Sequence, residues 1–254
     1  MIYLNKNVTL NQLKEVVRKN ISQSINYMSD DFNIEQKHAL ELFQKRINLE
    51  EIIEESIKFN RNISWENSNA NLKLTTTAEE LINVFKLRSD VYRSKNYQNE
   101  FIDEIEGLNF DKFDKSSAII YYQNNNEITG TVRVIYDSKN LLPTEKVHSY
   151  NSFRQDKKKI AELSRCIVKK DGKGLKLDFK HLINGLYNIC MHEDNKIDLA
   201  VVGFGTEIYK LYSKFGGITI EKELDTYGSL KIPNMIISWD MSQASTFFKK
   251  AFLT

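Results

Sequence analysis

The sequence predicts a protein of the α/β (α+β) class, in which a mixed central sheet is flanked by helices and preceded by a helical extension. Residues 9–60 repeat apolar side chains at intervals of three and four without any glycine or proline, which is typical of amphipathic helices. After residue 71, short β-branched and aliphatic runs alternate with helical patterns. A polar stretch, residues 64–71, separates the two regions. We therefore expect a helical extension over residues 1–64 and an α/β domain over residues 65–254.

The composition argues against several functional classes. The 254 residues are 28% charged but carry a formal net charge of only +2, which gives no electrostatic argument for nucleic-acid binding. Two cysteines and four histidines show no metal-ligand spacing, so we expect no metal site and no disulfide scaffold. The sequence contains neither a signal-peptide core nor a run of about eighteen apolar residues. We therefore expect a cytoplasmic protein without a transmembrane segment.

The helical extension contains two apolar stripes. One joins residues between Leu10 and Ile25, and the other joins residues between Ile34 and Ile57. A polar break, residues 29–31, lies between them. We expect two or three amphipathic helices that pack on each other or on the α/β domain.

The elements of the α/β domain follow in the order β-α-β-β-β-α-β-α-β-β. A capping box, Thr77 to Glu80, opens the first helix, and the polar residues 124–127 form a hairpin turn. Gly216 and Gly217 mark the end of the last predicted helix. The predicted strands cover residues 72–75, 118–122, 128–136, 160–168, 198–204, 218–220 and 235–239, and the predicted helices cover residues 77–91, 179–189 and 208–215.

The predicted strand at residues 160–168 is the strongest candidate for a functional site. It has the aliphatic character of an interior strand, yet it carries Glu162, Ser164 and Arg165. Strand alternation places Glu162 and Ser164 on one face and Arg165 on the other. Because an unpaired buried charge is costly, these side chains are either reactive groups or a structural Glu–Arg pair.

Four spaced motifs carry a resemblance to a known family. Arg88-x-x-Val91-Tyr92, Asp111-x-x-Asp114, Gly130-x-x-Arg133 and Glu162-x-Ser164-Arg165 follow one another in the chain. Together they resemble the GNAT N-acyltransferases, in the branch of the autoinducer (acyl-homoserine lactone) synthases and the N-acyl amino acid synthases of the FeeM type. The resemblance covers about residues 72–239. It implies a GNAT fold and direct acyl transfer from a thioester.

Two departures favour N-acyl amino acid synthesis over lactone synthesis. Tyr97 stands nearest to the position where autoinducer synthases usually carry a tryptophan. The phosphate-binding turn of acetyl-CoA-dependent relatives is replaced by residues 169–174, which supply two glycines and three lysines. Within this segment we expect Lys170, Gly172, Lys173 and Gly174 to cradle a phosphate of CoA or of a phosphopantetheine arm.

The resemblance suggests a role for each motif residue. Glu162 is the candidate general base, since partial burial would raise its pKa towards neutrality, and Ser164 would protonate the departing sulfur or position a water. The structural alternatives are a Glu162 pair with Arg133 or Arg165 and a Ser164 hydrogen bond to a neighbour. The candidate acceptor-binding residues, which could instead form a structural ion-pair network, are Arg88, Asp111, Asp114, Arg133 and Arg165.

The expected enzyme transfers a fatty acyl group to the α-amine of an amino acid. The acyl thioester of an acyl carrier protein, or less favourably acyl-CoA, is the co-substrate, and no permanently bound cofactor is expected. A cluster of basic residues is expected to steer the acidic carrier protein towards the enzyme by charge. The same cluster could equally be ordinary solvated surface. This cluster comprises Arg154, Lys157, Lys158, Lys159, Lys169, Lys170, Lys173 and Lys176.

Two alternative functions stay open at this stage. One is an acyl-homoserine lactone synthase that uses S-adenosylmethionine. The other is a non-catalytic GNAT-like module that binds a ligand or a carrier protein. The helical extension could cover an acyl tunnel, bind a partner or form a dimer contact.

Overall fold

The computed structural model describes residues 34–169, 175–229 and 231–253. It divides the chain into two compact units, residues 1–52 and 53–254. The predicted stripe from Leu10 to Ile25 lies outside the described residues, whereas the second stripe forms helix α1 (Ile34–Arg61). The last turns of α1 belong to the second unit, where Asn60 bonds the backbone of Ser117 and Ile119.

A seven-stranded mixed sheet forms the centre of the second unit. Its strand order is β1-β2-β3-β4-β5-β7-β6, and only β4 and β5 are parallel. The predicted mixed sheet is therefore confirmed. The strands are β1 (Leu72–Leu74), β2 (Ser117–Asn124), β3 (Glu127–Tyr136), β4 (Ile160–Val168), β5 (Leu199–Gly205), β6 (Ile218–Tyr227) and β7 (Ile232–Trp239).

The helices differ from the prediction in three places, one of which is the five-residue helix Asn151–Gln155, which was not predicted. The helix predicted at residues 208–215 is a single α-helical turn preceded by a 3₁₀ turn, and a short C-terminal helix after Ser245 was not predicted. Its seven residues are too few to show a helical period, although Ser245 caps it by accepting from the Phe248 N–H. The helices are α2 (Ala78–Ser94), α3 (Asn151–Gln155), α4 (Leu175–Met191), α5 (Tyr209–Tyr212) and α6 (Thr246–Phe252).

Two local predictions are confirmed in detail. Thr77 accepts from the Glu80 N–H while the Glu80 carboxylate accepts from the Thr77 N–H, so the capping box is complete. Asn125 and Asn126 join β2 to β3 with φ angles of 49° and 65°. Two left-handed residues match the right-handed twist of a hairpin, and asparagine tolerates that conformation.

The two faces of the sheet bury different cores. On one face, Val134, Leu163 and Val202 pack in one cluster with Leu182 and Leu186 of α4. The opposite face carries Ile135 and Val201, which pack with Leu142 and Tyr150 of the β3–β4 connection. Glu162 pairs in register with Ile135 and Val201. Because directly paired residues point to the same face, Glu162 lies on this second face.

The pairing of strand β4 with its two neighbouring strands is irregular. Its parallel pairing with β5 ends at Leu163 and Val202, so the two strands separate beyond these residues. On its other edge, β4 has two residues where β3 has only Val132, which is a β-bulge. Arg165 occupies the bulge with a φ of +53°, in the left-handed region.

Candidate functional site

A cavity of about 800 Å³ opens beside the bulge of β4 and the end of β5. Arg133, Glu162, Ser164 and Arg165 line it together with Asp111. Strand alternation predicted that Arg165 would project from the face opposite Glu162, and this prediction was wrong. The bulge breaks the alternation, so Arg165 reaches the same cavity as Glu162 and Ser164.

Glu162 is a buried carboxyl group with one tightly held oxygen. The residue is 4% exposed, and its Oε2 accepts from the Thr144 N–H at 2.8 Å and the Thr144 hydroxyl at 2.7 Å. Burial raises its pKa to about 7, although the Thr144 hydrogen bonds and the Arg133 charge oppose that rise. A carboxyl group with a pKa near neutrality can both accept and release a proton at physiological pH.

Arg133 connects the strand residues to the acidic loop. Its Nη1 donates to Asp111 Oδ1 at 2.7 Å and to Asp114 Oδ1 at 2.9 Å, and its Nε donates to Ser164 Oγ at 3.0 Å. Ser164 therefore acts as an acceptor towards Arg133, which leaves its hydroxyl hydrogen to donate elsewhere. Burial opposes ionisation of Asp111, but Arg133 and Arg165 outweigh it and hold the Asp111 pKa well below its usual range.

Arg165 is held by an aromatic pair and a carboxylate. Its Nη2 donates to Asp111 Oδ2 at 3.0 Å, and its Nη1 donates to the Tyr92 hydroxyl at 3.1 Å. The guanidinium lies 4.6 Å from the centre of the Phe101 ring, which stacks on Tyr92. Burial opposes the positive charge, yet the Tyr92 hydroxyl and Asp111 raise the Arg165 pKa overall.

Arg88 and Asp114 do not reach the cavity. Both side chains are 0% exposed, and they form a salt bridge of 2.9 Å. Among the described residues, nothing bonds Nε or Nη2 of Arg88, and burial lowers its pKa. Asp114 also accepts from Arg133 and from the Asp111 N–H. This pair is therefore linked to Arg133 and Asp111, which line the cavity, but does not line it itself.

The predicted basic cluster is divided between the two ends of β4. Lys157, Lys158 and Lys159 precede the strand, whereas the separation of β4 from β5 begins after Leu163. Lys158 and Lys159 line a different hollow, beside Asp137 and residues 194–197. Arg154 is engaged by Asp137 and Glu145. None of the three lysines before β4 is among the residues that line the cavity.

The predicted phosphate-binding segment is outside the described part of the chain. Lys170, Gly172, Lys173 and Gly174 lie between residue 169, which follows β4, and the start of α4 at Leu175. Lys169 itself is bonded to Glu127. The phosphate-binding role of these four residues stays a prediction.

Sequence reasoning missed Thr144, Tyr150 and the aromatic pair Tyr92–Phe101. Thr144 bonds Glu162 across a separation of eighteen residues, and no periodic pattern records a contact between a loop and a strand. The Pro143-Thr144-Glu145 segment did contain a sequence signal for a fixed turn, because proline at the start of a short 3₁₀ turn restricts the backbone there. Tyr92 belongs to the Arg88-x-x-Val91-Tyr92 motif, so its proximity to the site could have been anticipated.

The described residues add two negative findings. None of their helices is long and apolar enough to cross a membrane. Within the same residues, no group of three or more histidine, cysteine, aspartate or glutamate side chains is arranged to hold a metal ion.

Comparison with known proteins identifies related sequences and folds. The family model described as N-acyl amino acid synthase FeeM matches residues 83–240. No curated protein sequence matches the chain significantly. The solved structure of FeeM, an N-acyl amino acid synthase from uncultured soil microbes, is 17% identical with a TM-score of 0.57. That alignment covers 72% of this chain and 94% of FeeM.

Two acyl-homoserine lactone synthases are also similar in structure. LasI is 14% identical with a TM-score of 0.52, over 71% of this chain and 93% of LasI. The CoA-dependent BjaI, solved with SAM and isopentyl-CoA, is 16% identical with a TM-score of 0.52, over 68% of this chain and 79% of BjaI. At these identities the similarity establishes the fold alone, which confirms the predicted GNAT-like acyltransferase fold.

Proposed function

Because the chain belongs to the FeeM family of N-acyl amino acid synthases and is an acyltransferase, we propose that it transfers a fatty acyl group to the α-amine of an amino acid. The donor in this proposal is the phosphopantetheine thioester of an acyl carrier protein, or the chemically equivalent acyl-CoA. The observation that carries the proposal is Glu162, a carboxyl group with a pKa of about 7 on the wall of the cavity.

The first step that the site must support is removal of a proton from the amine. An amino acid carries an ammonium group at neutral pH, which has no lone pair for attack on a carbonyl carbon. Glu162 is suited to accept this proton, directly or through a water, because its ionised form is already disfavoured by burial. Proton transfer to Glu162 also removes a buried negative charge, so the desolvation cost of that charge is relieved.

The second step joins the amine nitrogen to the thioester carbon. The carbonyl oxygen becomes negatively charged in the tetrahedral intermediate, and backbone N–H groups that face the gap between β4 and β5 would stabilise it. The carbon–sulfur bond then breaks and the sulfur leaves as a thiolate. The sulfur needs a proton, and the nitrogen must lose its second proton as the amide forms. Ser164 is suited to relay this proton, because its hydroxyl hydrogen is available to the sulfur while its oxygen can take up the proton that leaves the nitrogen.

The acceptor would bind on the arginine side of the cavity. Arg133 and Arg165 offer planar donors that suit the carboxylate of an amino acid, and Asp111 between them offers an acceptor for its ammonium group. The donor would enter through the gap between β4 and β5, with its phosphate near Lys170, Gly172, Lys173 and Gly174.

Mass spectrometry of lipid extracts tests this function. Cells expressing the chain should accumulate an N-acyl amino acid, and the Glu162→Gln variant should lower its amount by about 100-fold or more, which is the contribution expected of a general base. Glu193→Gln, which changes an exposed glutamate in a surface turn, is the matched control and should retain full yield. An acyl lactone as the product, or an undiminished yield from Glu162→Gln, would contradict the proposal.

A further inference from the structure

The two oxygens of Glu162 have different surroundings. Oε2 accepts both the backbone N–H and the hydroxyl of Thr144, at 2.8 and 2.7 Å. No described residue donates a hydrogen bond to Oε1, although Glu162 lines the cavity. One oxygen is therefore engaged by the protein, and the other is the one that remains for a substrate or a water.

The directions of the hydrogen bonds follow from the number of protons. Thr144 has a single hydroxyl hydrogen, and it donates this hydrogen to Glu162. The Tyr150 hydroxyl lies 2.8 Å from the same Thr144 oxygen, so Tyr150 must be the donor in that pair. Tyr150 thus orients the Thr144 hydroxyl, which in turn holds Oε2. All three residues are buried.

The segment that carries Thr144 is itself fixed. Thr144 lies in the 3₁₀ turn Pro143–Lys146, where the Glu145 carboxylate accepts from the Leu142 N–H and from two nitrogens of Arg154. Gly203 of β5 lies against the Thr144 methyl group, which a Cβ at position 203 would approach to 3.2 Å. A side chain at that position would therefore press on Thr144.

We propose that Thr144 and Tyr150 are positioning residues that hold Glu162 by Oε2 and leave Oε1 facing the cavity as the proton-accepting oxygen. This inference rests on the proposed role of Glu162 as the general base. It adds that the base is one defined oxygen, and that its orientation comes from a loop residue eighteen positions away in the sequence.

Other charged groups also shift the pKa of the Glu162 carboxyl group and therefore affect its titration. Arg133 of β3 lowers the Glu162 pKa, whereas Asp111, which precedes the 3₁₀ turn Lys112–Ser116, raises it. Around Tyr150 stand Glu145 and Glu221, and the His148 ring contacts the Tyr150 ring edge-on. None of these residues is altered by the substitutions below, so their effects cancel in a comparison of variants.

The test is a direct titration of Glu162 in the free protein labelled with ¹³C-glutamate. The Glu162 signal is the one that disappears in Glu162→Gln. Thr144→Val keeps the side-chain volume but removes the hydroxyl donor, so the Glu162 pKa should rise by about one unit, the usual effect of one donor on a carboxylate. Thr144→Ser retains the donor and should titrate like the wild type. Tyr150→Phe should give a smaller rise.

The pH dependence of kcat/KM provides the functional readout. The acidic limb should move to higher pH in Thr144→Val and should return in Thr144→Ser. Equal titration of Glu162 in the wild type and in Thr144→Val, or equal shifts in the valine and serine variants, would overturn the proposal. If Thr144→Val does not fold, the Glu162 titration in Tyr150→Phe tests the proposal instead, and an unshifted Glu162 pKa in that variant would overturn it.

The titration uses no substrate, so it separates this inference from the proposed function. Absence of an N-acyl amino acid product would refute the function while leaving the orientation of Glu162 measurable. An unshifted titration, combined with loss of product in Glu162→Gln, would refute the positioning role alone.

Discussion

The Glu162 carboxyl group is buried on a sheet face where its register partners, Ile135 and Val201, are apolar. Its pKa is raised from 4.5 to about 7, so the folded protein binds this proton more tightly than the unfolded chain does. The stabilisation from the bound proton is complete below pH 4.5 and is lost as the pH rises through about 7. The ionised base is therefore destabilising at the pH at which it would act.

We expect Glu162→Gln to be more stable than the wild type at pH 8. The difference in the free energy of unfolding should be about 3 kcal/mol, because the neutral amide avoids the cost of a buried charge and can still accept from Thr144. The advantage should disappear as the pH is lowered to about 4.5. Denaturant unfolding at pH 5 and pH 8 measures it, and a variant that is less stable at both pH values would contradict this explanation.

At this scale the sequence predicted which side chains lie together better than it predicted their orientation and depth. The four motifs bring together Glu162, Ser164, Arg133, Arg165 and Asp111, all of which line one cavity. The sequence did not show that Arg88 and Asp114 are fully buried behind them, because a motif records residue types and spacing but not depth. Thr144 and Tyr150 escaped prediction because their contacts join distant parts of the chain.

Strand β4 shows how a small irregularity decides which side chains meet. The bulge gives β4 one extra residue relative to β3, and Arg165 accommodates it in the left-handed conformation. A residue with a Cβ pays a steric penalty in that region, whereas glycine does not. The Arg165 contacts with Asp111, Tyr92 and Phe101 offset this penalty.

Replacement of Arg165 by glycine or by alanine separates the backbone effect from the side-chain effect. Both variants lose the guanidinium contacts, so the proposed role of Arg165 in acceptor binding predicts a raised KM for the amino acid in both. Arg165→Gly should nevertheless be more stable than Arg165→Ala by about 1 kcal/mol, because only alanine retains the strain at this φ. Chemical denaturation of the two variants gives the difference. Equal stabilities would indicate that the bulge relaxes when the arginine is removed.

The order of elements was predictable, and the bulge was not. Periodicity, the Thr77 capping box and the Asn125-Asn126 turn define strands and helices locally, so the sequence contains enough information to place them. Alternation along β4 predicted the wrong face for Arg165 because a bulge depends on the partner strand. The C-terminal helix α6 (Thr246–Phe252) was missed since its stability comes from packing of Phe248 and Phe252 in the core.

Over the whole domain, the three lysines that precede β4 are not among the residues that line the cavity, and two of them line a separate hollow. Charge reversal of Lys157, Lys158 and Lys159 should therefore leave the carrier-dependent rate within about twofold of the wild type, because a carrier protein that delivers its thioester to the cavity would not dock on the hollow that Lys158 and Lys159 line. Stopped-flow or product assays with an acyl carrier protein at low and moderate salt measure this. A marked, salt-dependent loss of rate would place the docking site of the carrier protein at those lysines.

The separation of β4 from β5 has a mechanical consequence for the sheet. Four strands, β1 to β4, stand on one side of this line and three, β5 to β7, on the other, and among the described residues four paired positions form the ladder between β4 and β5. An extended molecule in the gap would act as a partial eighth strand, sharing hydrogen bonds with both halves. A bound molecule in the gap would then make the whole sheet more rigid. Substrate binding between β4 and β5 would therefore increase the rigidity of the domain.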